Sequence, residues 1–264
     1  MRTIWLRDDY QQAARKLHGK LPDASNVRRA LRHEDTTLIA PDGKIAAVFL
    51  CNVISKKLQK RAYEVLKRVD ELPRKRVDAV GTKSLPQHRR KDGKWSRFLS
   101  VNEKVLGVVK KHGVKTGTLG YWNGRLTPLT KKHPRWLKRC KRLSRLLDKL
   151  YRKYLPVPYT KQLAAVPPRH QLFGTAFSTT YITKNWQTCY HVDGNLKGGM
   201  TCITPLGHFT GGALVLLRWR VAVPYQRGDL LIFNAEDLHG NLPFEGERLS
   251  AAFFCGGWVA RCSR

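Results

Sequence analysis

Tyr190-His191-Val192-Asp193, then His239-Gly240-Asn241, then Arg248-Leu249-Ser250 set two histidines, a carboxylate and an arginine along the C-terminal part of the chain. A histidine and a carboxylate two residues apart on a strand point to one face, because side chains alternate with period two. His239 follows Asp193 by 46 residues and can complete that face from another strand. Around these residues the pattern is one of short apolar runs, at residues 172–182, 188–192, 200–205, 212–219, 221–225, 229–233 and 249–254. Gly198-Gly199, Gly207, Gly211-Gly212, Pro224 and Gly228 punctuate them. Many short strands with close turns predict a barrel or jelly roll. Each polar residue is expected at a strand end, where the mouth of a barrel would collect it.

Two histidines and one carboxylate on one face of a metal leave three coordination positions open, an arrangement that suits non-haem Fe(II). Arg248 just downstream would hold a carboxylate through paired hydrogen bonds, as required by a 2-oxoacid cosubstrate. Each residue also has an ordinary alternative. A strand histidine can be a hydrogen-bonded structural residue, and Asp193-Gly194-Asn195 is an acceptable turn. The conjunction of all four at strand ends favours the metal reading.

Charge divides the chain. The whole of its 264 residues carries a net +31. From Tyr190 onward there are 7 Lys and Arg against 6 Asp and Glu, whereas the preceding 189 residues have 43 against 13, a net +30. A neutral part joined to a basic one predicts a catalytic core with a polyanion-binding surface, nucleic acid before an anionic membrane. The alternative is a solvated face on a protein from a salt-adapted proteome. The six cysteines form no CxxC and no zinc-ligand spacing, so they read as free thiols in a reducing compartment. The first residues lack the apolar run of a signal peptide, and no stretch of about 18 apolar residues could span a membrane. An intracellular protein is expected, nuclear in a eukaryote and otherwise cytoplasmic or with the nucleoid, and monomeric.

The preceding half reads as mixed. Residues 37–50 predict two strands around Pro41-Asp42-Gly43-Lys44. Ser55 caps a helix expected to reach about residue 72, with Leu58, Ala62, Val65, Val69 and Leu72 as its stripe. Arg74-Lys75-Arg76 and the stretch from His88 to Trp95 look like basic loops, and residues 117–122 like a short strand or turn. Pro134 opens a helix to about Tyr154, with Trp136, Cys140, Leu143, Leu147, Leu150 and Tyr154 as the apolar stripe and nine cations over the rest. Such a helix braces a sheet, and its basic face can also meet phosphates. The expected organisation is α+β: a basic, helix-rich region over residues 1–158 that packs on the core and contacts nucleic acid, and a catalytic core over 159–264.

Phe173-Gly174-Thr175-Ala176-Phe177-Ser178-Thr179-Thr180, Tyr190-His191-Val192-Asp193, Gly211-Gly212-Ala213-Leu214-Val215, Gly228-Asp229-Leu230-Leu231-Ile232-Phe233, His239-Gly240-Asn241 and Arg248-Leu249-Ser250 together carry a resemblance. Over residues 159–258 the chain resembles the double-stranded β-helix Fe(II)/2-oxoglutarate dioxygenases, and within them the TET/JBP group, which oxidises 5-methylpyrimidines in nucleic acid. The resemblance implies a jelly-roll core braced by the N-terminal helices, with Fe(II), 2-oxoglutarate and O2 as cofactors and ascorbate as a helper. His191, Asp193 and His239 become iron ligands, and Arg248 with Ser250 holds the C5 carboxylate of 2-oxoglutarate. Many relatives have an arginine before the HxD; Asn185 or Gln187 would stand in for it here. Phe254 falls where the group stacks an aromatic on the flipped base, although a core-facing strand residue is an equal reading. Gly256 and Leu196 occupy positions where methylcytosine oxidases often place base-reading polar groups, so Asn195 and Lys197 would substitute, with Asn241 counted among the substrate contacts. The leading expectation is hydroxylation of 5-methylcytosine in DNA, with formyl and carboxyl stages open. Thymine hydroxylation and N6-methyladenine demethylation are the alternatives within this chemistry. A prolyl-type protein hydroxylase would not need the basic half, and a non-catalytic nucleic-acid-binding protein would not need the whole triad.

Overall fold

The computed structural model describes residues 1–8, 16–68, 88–89, 95–96, 115–122 and 125–261. In chain order the elements are β1 Arg2–Trp5, β2 Arg29–Ala30, β3 Thr36–Ile39, β4 Ile45–Leu50, α1 Lys56–Leu66, β5 His88–Arg89, β6 Trp95–Ser96, β7 Lys115–Trp122, β8 Arg125–Leu126, α2 Pro128–Lys132, α3 Pro134–Tyr154 and α4 Pro156–Ala165. There follow β9 Thr179–Lys184, β10 Thr201–Gly211, β11 Leu214–Leu216, β12 Val221–Val223, β13 Leu230–Phe233, β14 His239–Asn241 and β15 Phe244–Phe254. Nine strands form one sheet in the order β1-β3-β4-β13-β10-β15-β9-β7-β8, and β14-β11-β12-β2 form a second. β5 and β6 pair only with each other.

The two sheets face one another across a shared apolar cluster. Leu38, Ala47, Phe49, Leu231 and Phe233 from the large sheet meet Leu214, Leu216, Trp219, Val221 and Val223 from the small one. This is a jelly roll with added strands, since the N-terminal part supplies β1, β3 and β4 to one side of the large sheet and β7 and β8 to the other. The predicted hairpin over 37–50 is present as β3–β4, closed by Gly43 at φ +78° and the bond from Ala40 N–H to Lys44 O.

The other face of the large sheet is covered by helices. Alternation along β15 sends Leu249, Ala251 and Phe253 outward to Leu143, Leu147 and Tyr151 of α3 and to Ala62, Val65 and Leu66 of α1. The helices therefore brace the sheet, as their stripes predicted. Ser55 caps α1 through Leu58 N–H, and the helix is described as far as Leu66; residues 69–72 and Arg74-Lys75-Arg76 lie outside the described residues. In α3 the fully buried tyrosine is Tyr151 and not Tyr154, because position 151 continues the 140, 143/144, 147 stripe while 154 turns to its shoulder.

Three expectations change. Residues 172–178 are not strand: Phe173 (φ +58°) and Gly174 (φ +74°) turn the chain, Thr175 N–H bonds to Leu172 O, and Asp148 accepts from Ala176 N–H. Their apolar side chains are buried by a tight loop, which an apolar run alone does not distinguish from a strand. The segment around His191 is a single bridge to His239 rather than a strand over 188–192. Finally, β15 begins at Phe244, so Arg248 stands inside a long hairpin with β10 and not at a strand opening. The same hairpin places His208 on β10 opposite Glu247.

Candidate metal centre and cosubstrate pocket

His191 and His239 are locked together by reciprocal backbone bonds, His191 N–H to His239 O (2.9 Å) and His239 N–H to His191 O (3.0 Å). Asp193 N–H bonds to Ala235 O at 2.9 Å, tying the third residue to the loop before β14. The face shared by His191 and Asp193 thus comes from pairing with β14 and the loop before it, not from a continuous strand. His191 Nε2 lies 3.4 Å from Asp193 Oδ1, and His239 Nε2 lies 3.9 Å from Asp193 Oδ2. One donor atom from each of the three residues lies within 4.8 Å of the others.

Each imidazole is held from behind. His191 Nδ1 donates to Cys189 O at 2.7 Å and His239 Nδ1 to Asp237 O at 2.9 Å, each accepting carbonyl belonging to the residue two earlier. A proton fixed on Nδ1 leaves the Nε2 lone pair free, the second-shell device of metal-ligating histidines. Phe233 packs edge-on against His239 at 4.9 Å. Burial pushes the His239 pKa down to about 4, aided by neighbouring His191, so this ring is neutral near pH 7. Burial works against the charges of His191 and Asp193, but their mutual hydrogen bond prevails, raising the histidine and lowering the carboxyl. A neutral ring, a carboxylate and a second ring that shares a proton with it fit a divalent metal, which takes the place of that proton.

Period two puts Arg248, Ser250, Ala252 and Phe254 on the inner face of β15, opposite the outward Leu249, Ala251 and Phe253. Arg248 is only 3% exposed, yet no acidic side chain among the described residues pairs with it. Its guanidinium donates to Ser250 Oγ (3.2 Å), Gly212 O (3.1 Å) and Tyr225 Oη (2.7 Å). It sits among Phe244, Tyr225 and Phe209 at 4.9, 5.3 and 5.7 Å from the ring centroids. Burying an uncompensated cation costs several kcal/mol. Neutral acceptors and ring faces offset part of that, and an incoming carboxylate would offset the rest.

Sequence reasoning missed two members of this pocket. Gly212 (φ +73°) passes so close that a Cβ there would lie 2.3 Å from Arg248 Nη1; the Gly211-Gly212 pair in the sequence was the available signal. Tyr225 was read as the end of an apolar strand, and nothing in its sequence context marks its hydroxyl.

Asn185 and Gln187 both fall in this network. Asn185 (φ +53°) accepts from Arg248 N–H at 2.9 Å through Oδ1, while its buried Nδ2 has no protein partner. Gln187 donates to Asn241 O at 3.1 Å. Asn241, expected among the substrate contacts, is engaged instead by Thr188, Gly212 and Tyr225, which puts it behind Arg248. Phe254 ends the inner row and is 8% exposed. Asn195 donates to Thr201 Oγ1 at 2.8 Å and bridges to Gly256. Lys197 is exposed on the rim of a groove of about 940 Å³ that also runs past Val157, Lys161, Met200, Arg218 and Asn234. Gln162 shapes this rim by accepting Met200 N–H (2.8 Å), and a Cβ on Gly199 would meet its Oε1 at 2.6 Å.

A second cluster, His33, Cys51 and Asp229, has donor atoms close enough for a metal. Asp229 is already bonded by Asn52 N–H, Gln226 N–H and His33. Burial, with Asp229, Asp35 and Glu34 nearby, pushes the Cys51 thiol up to about 12. It is a turn anchor with a protonated thiol. All five cysteines among the described residues are free, and no described helix is long and apolar enough to cross a membrane.

Comparison with known proteins agrees with this geometry. The model of the Tet/JBP family, the oxygenase domain of the 2OGFeDO superfamily, matches residues 123–256. The bifunctional helicase and thymine dioxygenase JBP2 of Trypanosoma brucei brucei is 32% identical over 223 residues, 79% of this chain and 18% of that protein. Thymine dioxygenase JBP1 of Crithidia fasciculata is 34% identical over 101 residues, 38% of this chain and 12% of the other. The chain spans less than a fifth of the length of these relatives. The solved structure of NgTET1 in complex with 5mC DNA shares the fold, with a TM-score of 0.64 at 15% identity, covering 88% of this chain and 79% of that one. The chain belongs to the Tet/JBP family of 2-oxoglutarate/Fe(II) oxygenases, whose cofactors are Fe(II), 2-oxoglutarate and O2.

Proposed function

We propose that the chain hydroxylates the C5-methyl group of a pyrimidine in DNA. The observation that carries this reading is a His–Asp–His donor set together with a buried arginine that lacks any acidic partner among the described residues. His191, Asp193 and His239 would hold Fe(II), and Arg248, backed by Ser250, Tyr225 and Gly212, would receive the distal carboxylate of 2-oxoglutarate. The bound iron and cosubstrate supply the oxidation: O2 and 2-oxoglutarate are consumed, succinate and CO2 are released, and a methyl C–H becomes C–OH. The rest falls to the side chains. Arg248 orients the cosubstrate, the Nδ1 bonds keep both histidines presenting Nε2, and the aromatic wall around Arg248 keeps water from the ion pair.

The base would enter the metal pocket as a nucleotide turned out of its stack, with Phe254 and Asn195 beside it, and the groove rimmed by Lys197, which passes Leu196 and Asp237, would take the flanking backbone. Of the cations that line the groove, Lys44 is paired with Asp42 and Arg218 with Asp8 and Asp237, which leaves Lys161 and Lys197 to meet a phosphate backbone. 5-Methylcytosine is the first reading of the base, carried over from the resemblance to the TET/JBP group. Thymine is a second reading, favoured by the thymine dioxygenases among the relatives and by Leu196 and Gly256, which offer no polar side chain for a cytosine amine. The test is incubation with Fe(II), 2-oxoglutarate and ascorbate on duplexes carrying both bases, followed by nucleoside mass spectrometry. 5-Hydroxymethylcytosine or 5-hydroxymethyluracil is expected, and the ratio names the base. Absence of either product, with peptide hydroxylation instead, would overturn the reading.

A further inference from the structure

Among the described residues the most concentrated charge is not at the groove. α3 carries Arg135, Lys138, Arg139, Lys141, Arg142, Arg145, Lys149, Arg152 and Lys153, all exposed, against one acidic residue, Asp148. Asp148 is turned inward, accepting from Ala176 N–H and Tyr159 Oη–H. Among the described residues none of the nine cations makes an ion pair. At about 100° per residue they occupy an arc of roughly 160°, opposite the stripe that Trp136, Cys140, Leu143, Leu147 and Tyr151 bury. α1 packs against α3 and adds exposed Lys56, Lys57, Lys60 and Arg61.

This surface lies on the far side of the large sheet from the metal centre. α3 and α1 cover the face to which Leu249, Ala251 and Phe253 point, whereas Arg248 and Ser250 point the other way, toward the small sheet that carries His239. The groove touches α3 at its C-terminal end, through Tyr154, and Arg135 at the other end stands about 29 Å along the axis from there.

We infer that the outward face of α3, flanked by α1, is a second nucleic-acid-binding surface that holds a segment of DNA other than the one entering the metal pocket. This rests on the nucleic-acid reading above, but not on which base is oxidised. The helix has 21 residues, so its axis is about 31 Å long, which matches roughly nine phosphates of one strand at about 3.4 Å each. A duplex fits this density of fixed charge. An anionic membrane is disfavoured because the outward arc offers no apolar stripe to enter it: Leu146, the one apolar residue within the arc, is packed on the core, as are Leu137, Leu150 and Tyr154. Its use would be to keep the protein on a long polymer while single bases are sampled at the pocket.

The test uses the whole chain with Lys138, Arg142, Arg145 and Lys149, which line one strip of the helix, changed together to Gln, and separately with the two arginines changed to Lys. Gln keeps helix propensity and a long polar side chain. Affinity for a long unmodified duplex is measured against salt. The plot of log affinity against log salt should lose about 3–4 units of slope in the four-Gln variant, at about 0.9 per phosphate contact removed. The Arg→Lys variant should keep the slope. Turnover on saturating short methylated duplexes should be unchanged, while product formed per encounter on a long duplex falls. An unchanged slope in a variant with wild-type melting behaviour would overturn the proposal, as would lost binding to phosphatidylserine vesicles with duplex binding intact. Because the binding arm uses unmodified DNA, it stands even if no base is oxidised; loss of turnover on short duplexes would instead place α3 in the active assembly and refute a separate surface.

Discussion

The two faces of β15 were made by one alternating sequence and do opposite things. Outward, Leu249, Ala251 and Phe253 disappear into an apolar cluster with α1 and α3. Inward, Arg248 and Ser250 keep a cation and a hydroxyl dry, with Gly212, Tyr225 and Asn241 arranged around them. The outer face lowers the free energy of the fold through buried apolar area. The inner face raises it, because a buried cation without an anion is costly. The strand thus holds its functional residue in place by packing the neighbours on its back, a division that stabilises one face so that the other can be preorganised.

Substitutions on the inner face should change chemistry more than stability, and those on the outer face the reverse. The largest effect is expected at the donor set: His191→Ala or Asp193→Ala should reduce base oxidation to the detection limit while DNA affinity, read by fluorescence anisotropy, stays within about twofold. Full activity in both variants would remove the metal assignment. Next comes Arg248→Met, which should raise the half-saturating 2-oxoglutarate concentration roughly 10- to 100-fold, as for the loss of a charge-assisted bond worth about 1.5–3 kcal/mol. The same variant should melt no lower than wild type without cosubstrate, since an unpaired buried cation has been replaced by an apolar chain of similar volume. A smaller change is expected for Tyr225→Phe, which removes one acceptor of Arg248 and should weaken 2-oxoglutarate binding by about 2- to 10-fold. Across the sheet, Leu147→Ala should cost about 2–5 kcal/mol in denaturant unfolding yet leave 2-oxoglutarate saturation unchanged. A shifted saturation there would break the separation of the two faces.

Much of this contrast could be read in advance. The alternation of residues 249–254, the stripe of α3 and the Ser55 cap are local patterns, and local patterns determine their own elements. His191, Asp193, His239 and Arg248 were legible because chemistry restricts which residue types can sit together. The N-terminal half of β15 was not, since Glu245-Gly246-Glu247 has neither apolar alternation nor β-branched residues; its strand exists because β10 pairs with it. Residues 172–178 misled in the opposite direction, being apolar yet folded as a turn held by Asp148. Tyr225 and the reassigned Asn241 depend on contacts between segments far apart in the chain, which no single window contains.

With this geometry one small molecule would span the pocket, its 2-oxo end at the triad metal and its distal carboxylate on Arg248. Calorimetric titration of the Mn(II)-loaded protein with 2-oxoglutarate and with 2-oxopentanoate, which lacks the distal carboxylate, tests this directly. Wild-type protein should prefer 2-oxoglutarate by roughly 10- to 100-fold, and Arg248→Met should bind the two almost equally. A preference for 2-oxoglutarate that survived intact in Arg248→Met would place the distal carboxylate on some other group.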